Sequence, residues 1–375
     1  LENFRGFKSF ELQQLGRVNL LVGVNNSGKT SILEAIQLLC SPANLEPLHE
    51  VMIERGECFW GDDNVTLELD IRHLFYGHEI EENNTFSILG KNNHLRQKLV
   101  ASIAIGSIDS LYRLNSHSEA ENSSSASVGK LSDDLVRLGF TAQWTSGNKQ
   151  EYWEQPLSSN GCLHNDDVHL WPISRKRRAM QRPIPKTQLI RSSSLTIETM
   201  TELFEQVVLT AEEQLVYEAL QTIEPRIERI APVSSRKSIS SNSRGGFVVR
   251  LSGSEQRVPI GSLGDGIWRM LGLALAIVSV KGGVLLVDEI DTGLHFSTLS
   301  DMWKLIWETA KKLDVQVFAT THNSDCWTSL ATIASQEDAA VDGITIQRIE
   351  PDKNTSVVFT EKEIAIAAER GIEVR

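Results

Sequence analysis

The chain lacks what would place it in a membrane or outside the cell. No apolar run approaches the roughly 18 residues that a spanning helix needs. The most apolar stretch, Leu271–Val280, is too short and reads as a buried helix. No secretory signal opens the sequence, and it begins at Leu1 without a methionine, so a few native residues are expected before it. Cysteine is scarce: Cys40, Cys58, Cys162 and Cys326 are scattered with no CxxC spacing. That pattern excludes a disulfide framework and points to a reducing cytoplasm. Cys162 and His164 could touch one metal, but a lone pair lacks the second half of a tetrahedral site, and a loop thiol near a loop imidazole is the simpler reading. Positive charge is also short. With 37 basic against 49 acidic residues the net charge is −12, which excludes a chain that coats nucleic acid with its whole surface. One stretch runs the other way. Arg175, Lys176, Arg177, Arg178, Arg182, Lys186 and Arg191 have no acid among them. They form either a solvated basic loop or a patch for a polyanion such as DNA.

What is present is ordinary globular composition, 41% hydrophobic and 23% charged over 375 residues. Phe7–Leu12 is short and alternating, and Val18–Val22 is a continuous apolar run, the pattern of a fully buried strand. Ile32, Ala35, Ile36 and Leu39 recur at helical spacing, predicting a helix from near Gly28 to about Leu39 that ends before Ser41-Pro42. Short strands are expected at Val65–Ile71, Phe86–Leu89, Leu99–Ile105, Ser110–Leu114 and Gly139–Thr145, with a Ser-rich loop at Asn115–Val128. Thr196–Val208 reads as one amphipathic helix. Thr210 and Glu213 form a capping-box pattern opening a second, which makes a helical hairpin. A Ser/Arg/Gly linker, Ser234–Gly246, follows. After it strand and helix alternate, closing on strands Ile344–Ile349 and Ser356–Thr360 and a helix from Glu361. The expected fold is α/β: a phosphate-loop core with a mixed central sheet, flanking antiparallel strands and a helical insertion. Its expected divisions are 1–75, 76–245 and 246–375.

The segment Gly23-Val24-Asn25-Asn26-Ser27-Gly28-Lys29-Thr30 matches GxxxxGK[ST] between a buried strand and a helix start. The chemistry requires that placement. Glycines let backbone N–H groups turn around phosphate oxygens, and the helix N-terminus adds its positive end. Gly23, Asn25, Asn26, Ser27, Gly28, Lys29, Thr30 and Ser31 are therefore candidate ATP contacts, with Lys29 reaching the outer phosphates and Thr30 holding Mg²⁺. Val284–Val287 is a second apolar run, ending in Asp288 and Glu289. Asp288 is the second candidate ligand in the Mg²⁺ shell, and Glu289 the base that polarises the attacking water. A third buried strand, Val315–Ala319, ends at Thr320-Thr321-His322, where His322 can bridge the terminal phosphate and the water.

The order of these motifs resembles SMC-like and recombination-repair ATPases. The opening Leu1-Glu2-Asn3-Phe4-Arg5-Gly6-Phe7 before the phosphate loop is most similar to the OLD family (overcoming lysogenization defect) and its AAA-15 and AAA-21 relatives. Gly261-Ser262-Leu263-Gly264-Asp265-Gly266 occupies the place of the ABC signature, Asp291-Thr292-Gly293-Leu294-His295 resembles the D-loop, and Thr321-His322-Asn323 resembles the switch histidine. The resemblance covers Leu1–Leu39 and Val258–Leu330 and implies an ABC/SMC-type head that hydrolyses ATP with Mg²⁺. It also implies a homodimer with two ATP molecules sandwiched between heads. Ser262, Gly264, Asp265, Gly266 and Asp291 of one copy would then complete the other's site. Two departures stand out. The slot usually filled by the signature serine is Gly264, with Ser262 two residues earlier, and Glu54–Asp63 contains no Q-loop glutamine.

Relatives of the OLD kind often carry a C-terminal TOPRIM nuclease, and too few residues follow Leu330 for one. The expectation is therefore an ATPase that controls a separate TOPRIM-like nuclease or other effector, in phage defence. The alternative is a DNA-repair ATPase acting directly on DNA, although the helical hairpin is far too short for an SMC arm. A transporter nucleotide domain lacks support, since the Q-loop glutamine, a standard signature and a membrane segment are all missing.

Overall fold

A computed structural model describes residues 1–41, 46–60, 67–92, 95–107, 136–158, 160–164, 187–192, 195–233, 246–335 and 343–375. The expected strand Ser110–Leu114, the Ser-rich stretch, nearly all of the Ser234–Gly246 linker and the basic stretch as far as Lys186 lie outside these residues. The chain forms two units, each built from separated segments. One comprises Leu1–Phe10 and Glu34–Ile184; the other comprises Glu11–Leu33 and Pro185–Arg375.

The first unit is organised on a six-stranded antiparallel sheet in the order Phe7–Ser9, Glu2–Phe4, Thr85–Asn92, Leu95–Ser107, Val136–Ser146, Lys149–Pro156. Strand alternation puts Phe86, Ile88, Leu99, Ala101, Phe140, Trp144 and Trp153 into one core. There Phe75 and Phe140 meet edge to face at 6.5 Å, and Phe140 meets Trp153 likewise at 5.4 Å. A small sheet pairs Leu163–His164, Leu67–Leu69 and Cys58–Trp60. Of the strand expected over Val65–Ile71, Val65 and Thr66 lie outside the described residues, and the strand ends at Leu69 because the Asp70 carboxylate accepts from Arg72 N–H at 3.2 Å and opens a 3₁₀ turn at Ile71–Leu74. The opening Phe4-Arg5-Gly6-Phe7 has a structural explanation. Arg5, at φ 50°, turns the chain between the first two strands and buries its guanidinium against Glu34 and Glu57, both at 2.7 Å, while Arg55 holds Glu34 from the other side at 2.8 Å. Burial pushes the Glu34 carboxyl up, and both arginines oppose that shift.

The second unit holds the mixed sheet. Its order is Thr187–Ile190, Val284–Val287, Gln316–Thr320, Val18–Val22, Ile344–Arg348, Val357–Phe359; the first five strands run parallel and the last antiparallel. The phosphate-loop strand Val18–Val22 is buried at every position, as a strand covered on both faces must be. Its one polar residue, Asn19, is fully satisfied by Gly16 N and O, Val317 O and Thr345 Oγ1. The phosphate-loop helix spans Lys29–Cys40 and contributes its first turn to this unit. Helices Ile197–Val207 and Glu213–Ile223 are the expected hairpin. They pack on Asp265–Ser279 and bury Met200, Phe204, Val216 and Leu220 in this unit's core. The expected capping box at the second helix does not form. Thr210 Oγ1 donates backward to Val207 O at 2.6 Å, and the Glu213 carboxylate accepts from Leu209 N–H, so the turn between the helices takes both groups. A three-stranded sheet, Ile227–Pro232, Phe247–Leu251 and Arg257–Pro259, leads into the signature segment.

Candidate functional site

The site is assembled from the ends of three parallel strands in the second unit. Val18–Val22 runs straight into Gly23, whose φ of +147° and lack of a side chain are both required: a Cβ there would lie 2.5 Å from Ile349 O. The loop turns through Asn26 (φ 62°) and Gly28 (φ 90°) into the helix, with Val24, Asn25 and Asn26 exposed and Ser31 half-buried on its first turn. Lys29 is 5% exposed. Its ammonium donates to Gly23 O at 3.0 Å and Val24 O at 2.9 Å and lies 3.4 Å from Ser27 Oγ. Burial pushes this ammonium down to about 8, against the opposing charges of Asp288 and Glu289.

Asp288 and Glu289 leave the end of Val284–Val287, which is separated from Val18–Val22 by the strand Gln316–Thr320, in different roles. The Asp288 carboxylate accepts from Thr30 Oγ1 at 3.1 Å and from Thr320 Oγ1 at 2.6 Å. Thr320 Oγ1 in turn accepts from Glu289 N–H at 2.8 Å, so one hydroxyl fixes both acids. Glu289 has φ 47°, a left-handed conformation that costs energy in a residue with a side chain and is held here by its surroundings. Its carboxylate is half-buried, with Thr292 Oγ1 at 3.3 Å. Thr30, Asp288 and Thr320 thus present an oxygen-only set beside the phosphate loop, the donor chemistry that Mg²⁺ takes.

Two residues here have roles that the sequence does not signal. Thr320 stands just beyond the expected strand Val315–Ala319, and the structure makes it the last residue of that strand. Arg269 sits within an otherwise apolar helix, a position whose only physical signal is that a buried charge needs partners. It is 2% exposed, and its guanidinium donates to Arg191 O at 2.7 Å, Asp288 O at 3.2 Å and Glu289 O at 3.1 Å. Burial lowers its pKa to about 10, opposed first by Asp291 and then by Asp288 and Glu289. The helix bearing the signature segment therefore grips the backbone of both acids. Of the basic stretch, Arg191 is described, and its carbonyl serves this grip.

The signature segment folds as a 3₁₀ turn at Ile260–Leu263, then Gly264 at φ +96°, then the helix Asp265–Ser279. Ser262, Gly264 and Asp265 are exposed, and Gly266 is half-buried. A Cβ on Gly266 would sit 3.7 Å from the Leu294 side chain and 3.8 Å from Gly293 O, so signature and D-loop share one surface. Asp291 accepts from Thr321 Oγ1 at 2.6 Å, which ties the D-loop to the strand end carrying His322. His322 is exposed, and its carbonyl accepts from the Arg375 guanidinium at 2.5 Å. Lys29, Thr30, Asp288 and Glu289 are brought together. Ser262–Gly266 forms a separate, outward-facing helix start alongside the D-loop.

Residues 1–160 match the family described as an AAA ATPase domain, and residues 164–325 match one described as an AAA domain, putative AbiEii toxin of a type IV TA system. A Helicobacter pylori protein named ATP/GTP phosphatase is 21% identical over 354 residues, 91% of this chain and 88% of that protein. The DNA replication and repair protein RecF of an Exiguobacterium species is 33% identical over 101 residues, 26% of either chain. Among solved structures, an SMC head bound to the C-winged helix domain of ScpA is 12% identical with a TM-score of 0.45, covering 96% of this chain and 97% of that one. The two family matches and the phosphatase relative agree with the paired phosphate loop and acidic strand end: over most of its length the chain resembles ATPases of the AAA kind. It is an enzyme that hydrolyses ATP. No helix among the described residues is long and apolar enough to cross a membrane.

Proposed function

We propose that this ATPase works as a nucleotide-gated pair, in which two copies close on two ATP molecules and reopen on hydrolysis. The observation that carries this reading is the exposed helix start at Gly264–Gly266. Its positive dipole end lies at the exposed Gly264 and Asp265, beside the D-loop, a ready seat for an anion. The terminal phosphate held by a second copy's Lys29 supplies one. In each closed site Thr30 and Asp288 would hold Mg²⁺, which would supply charge neutralisation at the phosphates. Glu289 accepts the proton of the attacking water, and His322 approaches the terminal phosphate. Ser262, Gly264, Asp265, Gly266 and Asp291 come from the partner.

The output of this cycle, in our reading, is control of a separate effector in the cytoplasm, a TOPRIM-like nuclease being the leading class and phage defence the setting. A family description that names a toxin of a toxin–antitoxin system fits a chain acting on cell fate through a partner. The second reading is direct action on DNA, favoured by matched segments of RecF and of the Methanopyrus kandleri Rad50 ATPase, the latter 36% identical over 83 residues, 20% of this chain and 9% of that protein. Replacing Glu289 with Gln is expected to slow hydrolysis by about 10²–10⁴-fold and to trap a dimer in ATP. Light scattering of the Glu289→Gln protein checks it, and a monomer at saturating ATP would count against the pair. Pull-downs of the trapped form from its native cell test the effector. Consistent recovery of the ATPase alone would sink that half.

A further inference from the structure

We propose that the open face of the first unit's six-stranded sheet is a docking surface for the phosphodiester backbone of nucleic acid, carried by Lys91, Arg96 and Lys98. Strand register places them. Lys91 lies directly opposite Arg96, Lys98 follows two residues along the same strand opposite Leu89, and Thr145 lies opposite Lys98 on the next strand. Side chains directly opposite or two apart share a face. The other face holds Ile88, Leu99, Trp144 and Trp153 in the core, so the three cations stand on the solvent side.

Both hairpins joining these strands turn at the same end of the sheet. Lys149, paired with Ser146 beside the second turn, lies at the same end but belongs to the face of Trp144 and Trp153. Lys91, Arg96 and Lys149 are exposed and Lys98 is half-buried. Among the described residues none of the three facing cations forms an ion pair with a carboxylate. In a chain of net charge −12, no acid occurs from Asn83 to Ile108. Beside the cations the same face carries Gln143, Gln150 and the half-exposed ring of Tyr152, groups that hydrogen-bond phosphate and sugar or stack on bases. The carboxylates on this face, Glu2 against Ser87 and Glu154 against the Tyr152 hydroxyl, lie toward the other end. A chain acidic overall that reserves one sheet end for unpaired cations is built to meet a polyanion there.

This inference is independent of nucleotide-driven pairing. The test is fluorescence anisotropy of the full chain with duplex and single-stranded oligonucleotides over a salt series. Three phosphate contacts give a slope of log affinity against log salt of about −2.7 for duplex and about −2.1 for single strands. The triple variant Lys91→Glu, Arg96→Glu, Lys98→Glu is expected to lose at least tenfold in affinity and most of that slope. Its basal ATP hydrolysis, its circular dichroism and its ATP-dependent dimer should stay unchanged. The relative strength of the two oligonucleotide arms identifies the form of nucleic acid bound. Unchanged affinity in the triple variant, absence of binding by the parent at low salt, or loss of binding only on neutralising Arg175–Arg178 would each overturn the assignment.

Discussion

Lys29 is pulled in two directions, by burial that favours the neutral amine and by carboxylates that favour the ammonium. With its pKa near 8 when free, it gives up its proton just above neutrality, and a bound triphosphate restores it. ATP affinity is therefore expected to fall by up to tenfold per pH unit above pH 8. Calorimetry in buffers of different ionisation enthalpy should show proton uptake on binding at pH 9; flat affinity from pH 7 to 9.5 would exclude the shift. The unfolded chain keeps this proton up to about 10.5, so the residue's contribution to folding stability rises with pH between the two values. Arg269 gives a second residue-scale expectation. Arg269→Met removes the donor that three part-buried carbonyls share. It should cost about 1–3 kcal/mol in denaturant unfolding, and it should lower kcat more than KM, because the strained Glu289 backbone loses its clamp. Equal kcat in the variant would show that the clamp is only structural. Lys29 was legible because a phosphate loop packs its chemistry into eight consecutive positions. Arg269 and Thr320 were not, because their partners come from distant segments that only the fold brings near.

At the scale of elements, periodicity carried most of the reading. The buried strands Val18–Val22 and Val284–Val287 announce themselves as unbroken apolar runs, and the observed helix Lys29–Cys40 follows the 3.6-residue spacing within a residue of the expected ends. Local polar chemistry was less legible, since a capping pattern competes with whatever else its side chains can reach. Thr210 found Val207 O and Asp70 found Arg72 N–H, and each changed where an element begins. The hairpin helices belong to the core layer against Asp265–Ser279, so they bear load. Leu220, fully buried there, should cost about 2–5 kcal/mol on truncation to Ala. Chemical denaturation measures it, and a cost below 1 kcal/mol would mean that the hairpin is peripheral. In the first unit, Arg5→Ala strips Glu34 and Glu57 of their buried partner and should cost about 3–5 kcal/mol.

For the whole molecule, the chain divides into two units, each built from segments distant in sequence. The phosphate loop and the signature-to-switch region are distant in sequence yet belong to one unit, and residues 34–184 form another around their own antiparallel sheet. The proposed composite site rests on a helix start that faces outward. The most direct measurement is complementation between two defective copies. Lys29→Ala removes the phosphate loop's charge and leaves the signature intact. Gly266→Asp places a carboxylate where a phosphate should dock, at a position with room for the new Cβ. Each variant alone should be nearly inactive, and mixing them should restore ATP hydrolysis in the mixed pairs, each of which contains one intact composite site. Activity of the mixture equal to the sum of its parts, at every concentration, would contradict the account.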